Sequence, residues 1–383
     1  MSVMSKIKFT NLNKINRKFL PEIKKKLNNH FKNSDFINGK EVKKFEKNFR
    51  KINKSKYCIS CANGSDALVI ALKSLNLKNN DEVITTSLSW IATSAAVSAA
   101  GGKVIFSDIN KDDFNIDPNQ IIKKITKKTV GLIIVHLYGF PVDIQSIKKI
   151  AKKYNLWIVE DCAQSHLAKY KNKIVGNFGD FGTFSFFPGK NLGAFGDAGC
   201  LVTNNKKLAK KARLYANHGG KNLHLLEGMN SRMDTIQSSI LNIKLKNLNL
   251  QNQKRIVNAK TYISNLHNLE NLNLPLIKKF SQPVFHQFVI KTKLRNFLKK
   301  YLSKKGIETQ IHYPQILPMM KAYKKYNLSK KDFPNAYKAS KEILSLPISQ
   351  DHNIKIIKKI SLEIIKFYKI YEKNKHSWMW KNI

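Results

Sequence analysis

Between residues 57 and 204 short apolar runs alternate with amphipathic stretches, and that alternation leaves few architectures open. Candidate strands read at 57–61, 82–86, 103–107, 132–136, 156–160, 182–186 and 199–203. Helix-like segments lie between the earlier ones, at 65–75, 92–100 and 144–154. Strands alternating with helices predict an α/β fold with a mostly parallel, doubly wound sheet. Such sheets carry their chemistry at the carboxyl ends of the strands, so the residues just after each run are the ones to inspect. Beyond residue 205 the texture changes. Helical patterns at 206–217, 234–248 and 251–269 lead into a smaller α+β unit. That unit reads as strand-like HQFVIKT, a helix at 294–305, an extended run from Gly306 through Tyr313, a turn or strand end at Leu344–Pro347, and a last amphipathic helix at 353–371. The final residues, KHSWMWKNI, form an aromatic tail to which the pattern assigns no role.

Composition excludes several classes. The 383 residues, 42% hydrophobic and 25% charged, are a globular mixture long enough for two domains. No apolar run reaches the roughly 18 residues of a membrane-spanning helix, and the first residues lack the apolar core of a secretory signal. A cytoplasmic protein is expected. The net charge of +44 suggests a nucleic-acid partner, but only six of the 69 basic residues are Arg. Arg is the residue suited to bidentate phosphate and base contacts, and the lysines recur along the whole chain on the polar faces of helical patterns. They read as solvated faces, with nucleic-acid binding kept as an alternative from another class. Four cysteines give no disulfide framework. Cys58 and Cys61 have half-zinc spacing but sit in an apolar strand with no second Cys/His pair nearby, so no metal is expected.

Three stretches carry chemistry. Asn63-Gly64-Ser65 follows a strand and opens a helix, where backbone N–H groups favour an anion, although the same residues make an ordinary capping turn. Asp161 ends an apolar strand in IVEDCAQSH; a charge there is costly without a cationic partner, and the plainer reading is a surface acid capping the next segment. Lys190 lies in SFFPGKNLGAFGDAG, an aromatic and glycine-rich setting unlike that of the other lysines. Burial lowers an ammonium pKa and makes the neutral amine available for Schiff-base chemistry, whereas a bland loop lysine would reach to water.

EDCAQSH, FGDFGTFSFFPGKNLGAFGDAG, GMNSRMDTIQSSIL and IETQIHYP, in this order, resemble the DegT/DnrJ/EryC1/StrS family of pyridoxal-phosphate-dependent nucleotide-sugar aminotransferases. The resemblance runs from about residue 7 to about 370. It implies the type I, aspartate-aminotransferase-like fold, with a large domain at about 20–250 and a small one at about 251–383, against which residues 1–19 pack. Lys190 then matches the lysine that forms a Schiff base with pyridoxal 5'-phosphate and later moves a proton. Asp161 matches the carboxylate paired with the pyridine nitrogen, Gln164 the residue near the phenolic oxygen, and Trp90 an aromatic that stacks on the ring. Gly64, Ser65 and Ser185 match phosphate ligands. Asn230 matches a residue reaching the phosphate from a neighbouring subunit, which makes a homodimer the expected active unit. His312 and Tyr313 match the small-domain motif that borders the sugar-nucleotide site, and Arg232, grouped with them as substrate-binding, lies beside the subunit contact.

One departure stands out. Leu167 occupies a place where the family usually has glycine, which puts the backbone after His166 in question. Family members that carry histidine in place of the lysine act as dehydratases, and Lys190 argues against that alternative. The expected reaction moves an amino group from an amino acid, L-glutamate by analogy, to a nucleotide-linked keto-sugar, for cell-surface polysaccharide or amino-sugar synthesis.

Overall fold

The computed structural model describes residues 6–220, 222 and 224–374; the aromatic tail at 375–383 lies outside the described residues. Seven strands form the central sheet: β1 (Tyr57–Cys61), β2 (Glu82–Thr86), β3 (Lys103–Ser107), β4 (Thr129–Val135), β5 (Trp157–Asp161), β6 (Phe181–Ser185) and β7 (Gly199–Thr203), in the order β1-β7-β6-β5-β4-β2-β3. The pairs β2–β3, β2–β4, β4–β5 and β5–β6 are parallel, and β7 alone runs against its neighbours β1 and β6. Successive residues of β4 point to opposite faces, so Leu132 and Ile134 enter one core while Ile133 and Val135 enter the other. Apolar residues at both parities are what a sheet covered on two faces requires.

Local chemistry sets the helix starts. Helix α3 (Gly64–Ser74) opens with the Asn63 side chain accepting from the Asp66 N–H at 2.8 Å, and the helix Ile144–Lys153 opens on the Asp143 carboxylate. After a short helix at Leu12–Asn16, two longer helices precede the sheet, α1 (Leu20–Asn33) and α2 (Lys40–Asn53). Neither was among the elements read from the sequence, because lysines crowd their apolar positions. In α2 those positions are Val42, Phe45 and Phe49, and the two phenylalanines meet Phe184 and Phe186 edge-on at 5.0–5.3 Å between ring centroids.

The chain after the sheet passes through α4 (Thr235–Leu245) and α5 (Leu248–Leu266) into the smaller unit. There a two-stranded antiparallel sheet, Phe288–Lys291 with Ile343–Leu346, is covered by helices Arg295–Lys304 and Ile354–Asn374. The N-terminal segment joins this unit through hydrogen bonds between Ile7 and residues 306 and 308. The extended run expected over residues 306–313 forms no regular strand. It makes single bridges, Ile307 to Ile7 and Gln310 to Ser345, because it touches the small sheet at one residue only. Among the described residues no helix is long and apolar enough to cross a membrane.

A buried acid ties β5 to the segment entering β6. Glu160 is fully enclosed and accepts backbone N–H bonds from Gly176 (2.7 Å), Phe178 (2.6 Å) and Gly179 (2.8 Å), together with His136 Nε2 (3.1 Å). His136 Nδ1 accepts from the Val142 N–H, so Nε2 is the nitrogen that carries the proton. Burial works against the Glu160 charge, but the His136 bond and the N–H donors outweigh it and hold its pKa below the usual value. His136, Glu160 and Cys162 cluster closely enough to suggest a metal site, yet the carboxylate and imidazole are already spent on these bonds. Glu160→Gln would aim an amide NH2 at N–H donors, and an expected loss of about 3 kcal/mol in urea-unfolding free energy follows. An unchanged urea midpoint would contradict this role.

Candidate active site

The parallel strands direct their carboxyl ends to one edge of the sheet, and antiparallel β7 begins at that edge. The turns there bring together Asn63–Ser65 after β1, Ser87–Trp90 after β2, His136–Tyr138 after β4, Asp161–Gln164 at the end of β5, and Ser185–Lys190 at the end of β6. Crowding at this edge explains Gly64. A Cβ on that residue would lie 2.6 Å from the Ser185 Cβ, so only glycine lets α3 start so close to β6. Asn63 takes the N–H groups of Asp66 and Ala67, and among the described residues those of Gly64 and Ser65 have no acceptor. Unpaired N–H groups at a helix start suit an anion.

Asp161 is 7% exposed. Its carboxylate accepts from Thr93 Oγ1 at 2.8 Å and from the Ala163 N–H at 3.1 Å, and among the described residues it makes no ion pair. Burial raises its pKa against these donors and against the opposing charge of Lys190. The same burial lowers the Lys190 pKa, with Asp161 pulling the other way. The acid and the lysine therefore lie in one electrostatic neighbourhood. Sequence reasoning missed Thr93, one turn beyond Trp90, whose hydroxyl orients the acid.

Gln164 links the two units. Its Oε1 accepts from the Tyr138 N–H (2.6 Å), its Nε2 donates to Tyr313 Oη (3.0 Å), and Tyr138 Oη donates to the His312 carbonyl. Tyr138, also missed from the sequence, follows β4 at a turn with positive φ at Tyr138 and Gly139; a strand-end position with an adjacent glycine was its available signal. Burial pushes the Tyr313 phenol pKa up, so it stays protonated. Burial and the Lys190 charge bring His312 to about 4, which leaves a neutral imidazole held by Ser345 at 2.9 Å. Trp90 is 59% exposed, with its ring centroid 5.9 Å from that of Tyr313.

Leu167 takes φ +67°, the left-handed conformation that glycine adopts freely, and buries its side chain there. The backbone after His166 thus keeps the glycine-like path despite the leucine. Asn230 and Arg232 make no hydrogen bond to this cluster in the single chain. Asn230 is exposed and its backbone bridges Asn217; Arg232 donates to Asn217 Oδ1 at 3.3 Å. Between them Ser231 bonds Ala62 and Asp66, so their loop abuts the Gly64–Ser65 turn, but Asn230 makes no hydrogen bond to Ser185, Lys190 or Asp161.

A buried acid without an ion-pair partner among the described residues, a helix start with unpaired N–H groups, an open indole and a lysine with a lowered pKa together suit a flat, cationic ring bearing a phosphate. Pyridoxal phosphate has those features, and Asp161, Trp90, Lys190 and the Gly64–Ser65–Ser185 corner are the residues that would hold it.

The profile of the DegT/DnrJ/EryC1/StrS aminotransferase family matches residues 19–364. A Geobacillus stearothermophilus protein named pleiotropic regulatory protein is 40% identical over 86% of this chain and 89% of its own length. The dTDP-3-amino-3,6-dideoxy-alpha-D-galactopyranose transaminase of Aneurinibacillus thermoaerophilus is 40% identical over 90% and 94%. Among solved structures, DesV of S. venezuelae in complex with a ketimine intermediate superposes with a TM-score of 0.92 at 33% identity, covering 94% of this chain and 98% of that one. NtdA of Bacillus subtilis, with bound cofactor PMP, gives a TM-score of 0.87 at 32% identity over 94% and 86%. The fold is thus that of these aminotransferases, as the motifs implied.

His166, enclosed beside Phe184 and Phe186, supplies a pH test. Burial, aided by the Lys190 charge, lowers its pKa from 6.5 to about 3. The unfolded chain then binds the extra proton at higher pH than the folded one. Stability from this group is full above about pH 6.5 and falls as the pH drops towards 3. Lowering the pH from 7 to 5 should cost about 2 kcal/mol through His166. Urea titrations at the two pH values of wild type and His166→Asn check it. A difference that survives the substitution in full would contradict it.

Proposed function

The chain belongs to the DegT/DnrJ/EryC1/StrS aminotransferase family, and on that premise we propose that it binds pyridoxal phosphate and transfers an amino group to a nucleotide-linked keto-sugar. The observation that carries the reading is the buried Asp161 carboxylate, oriented by Thr93 and left without an ion-pair partner beside a desolvated Lys190. When bound, the cofactor supplies an aldehyde that carries an amino group and a ring that delocalises an electron pair left on a substrate carbon. Asp161 holds a proton on the ring nitrogen. Lys190 provides the attaching amine, and its lowered pKa gives a neutral form able to accept and return the substrate proton at Nζ. The Tyr313 phenol and the neutral His312 imidazole border the place where a sugar enters.

The substrate class follows from relatives named for dTDP- and UDP-sugar transamination. L-glutamate is the amino donor in this reading, and a cell-surface polysaccharide or an amino sugar is the destination. The excess of positive charge favours a diphosphate-bearing substrate over long range. We also infer a cytoplasmic homodimer divided near residue 250 into large and small domains. Asn230, exposed and making no hydrogen bond to Ser185, Lys190 or Asp161 of its own chain, is then available to a partner's phosphate seat, and exposed Phe187, Phe195 and Leu225 supply apolar surface for the contact.

Nitrogen-15 L-glutamate, the cofactor and a panel of dTDP- and UDP-linked keto-sugars should yield a nitrogen-15 amino-sugar nucleotide by mass spectrometry. Lys190→Ala should lose at least about a thousand-fold in rate. A converted product without nitrogen-15 and lighter by one water would instead indicate dehydration, and retained turnover in Lys190→Ala would overturn the assignment. Asp161→Asn should lower the rate of amino transfer about a hundred-fold while the cofactor still binds. Near-wild-type transfer by that variant would show that the acid does not serve the ring nitrogen.

A further inference from the structure

Lys244 is a second lysine near the site whose environment is unlike that of the solvated majority. It lies in α4, is 3% exposed, and makes no ion pair among the described residues. An enclosed ammonium without an acid is costly, so its remaining contacts must compensate. Its Nζ donates to the Gly193 carbonyl and to Asn16 Oδ1 (2.9 Å), and sits 5.5 Å from the centre of the Phe195 ring. Burial brings its pKa down to about 8.

Gly193 is three residues beyond Lys190, where the loop closes on itself. A Cβ at Gly193 would lie 2.3 Å from the Pro188 carbonyl oxygen, and the Ala194 N–H returns to the Phe186 carbonyl at 2.7 Å. Seven residues before Lys244, on the same face of α4, Gln237 Oε1 accepts the Phe195 N–H at 2.9 Å. One helix face therefore grips the loop at two consecutive points just after the lysine. On the other side, Asn191 is held by Asn252 and His286.

We propose that Lys244 and Gln237 are positioning residues, which fix the path of the 188–196 loop and through it the place of Lys190, without touching substrate or cofactor. This rests on the transaminase reading for its kinetic consequence and on geometry alone for its structural one. The test pairs Lys244→Met, which keeps most of the stem but removes the donor, with Gln237→Ala.

In cofactor-free protein, amide hydrogen exchange over 187–196 should rise about ten-fold in Lys244→Met while β4 and β5 keep their rates. In the loaded enzyme kcat should fall about ten-fold with the amino-donor KM within about three-fold, the pattern of a misplaced lysine rather than lost binding. Gln237→Ala should move both readouts in the same direction, and it decides the matter if Lys244→Met does not fold. Folded variants with kcat within two-fold of wild type and unchanged loop exchange would overturn the proposal. Exchange rising equally through the central sheet would overturn it as well, by showing a general structural role. If wild-type protein transfers no amino group, the functional reading fails while the exchange measurement still decides this one.

Discussion

A carboxylate held at the end of a parallel strand, enclosed and without an ion-pair partner among the described residues, is the constraint around which this edge of the sheet is arranged. Asp161 keeps two neutral donors, Thr93 and the Ala163 amide, which orient it but do not neutralise it. Such an arrangement is costly in a resting protein. It becomes favourable when a cationic group enters, and a protonated ring nitrogen is a cation whose geometry suits a strand-end acid. In the proposed function the rest of the edge serves that meeting. Glycine at 64 lets the anion seat approach β6, and the loop after β6 delivers Lys190 to the same electrostatic neighbourhood.

The contrast with Glu160, one residue earlier, shows how neighbouring positions on one strand take different roles. Glu160 points into the opposite environment, where three backbone N–H groups and His136 satisfy it and lower its pKa. Asp161, with fewer donors, has its pKa raised. The lysines divide in the same way. Most of them coat helix faces, while Lys190 and Lys244 sit in low-dielectric surroundings that lower their pKa values. Net charge therefore says little about this site, whereas the position of each individual charge says a great deal.

Much of this was legible in the sequence, for identifiable reasons. The seven strands of the large sheet read within a few residues of their observed bounds because strands covered on both faces are apolar at both parities and end at polar turns. Asp161, Lys190 and Gly64 were conspicuous because each violates the local expectation: an acid ending an apolar run, a lysine among aromatics, a glycine opening a helix. Helices α1 and α2 were not read as elements, although Val42, Phe45 and Phe49 recur at helical spacing in α2 amid lysine-rich text. Thr93 and Tyr138 escaped because a hydroxyl or a backbone N–H becomes functional only through contacts across the fold, to Asp161 in one case and to Gln164 in the other. The run at 306–313 read as extended, and β-forming residues do not reveal whether a partner strand is present to make it a regular strand.

The central claim concerns one proton, on the ring nitrogen facing Asp161. The most direct measurement is the nitrogen-15 NMR shift of ring-labelled pyridoxal phosphate bound to the wild-type protein and to Asp161→Asn. The account predicts a protonated nitrogen in the wild type, across the pH range in which the enzyme stays folded, and its loss in the variant. A neutral ring nitrogen in the wild type, or one equally protonated in both proteins, would contradict it.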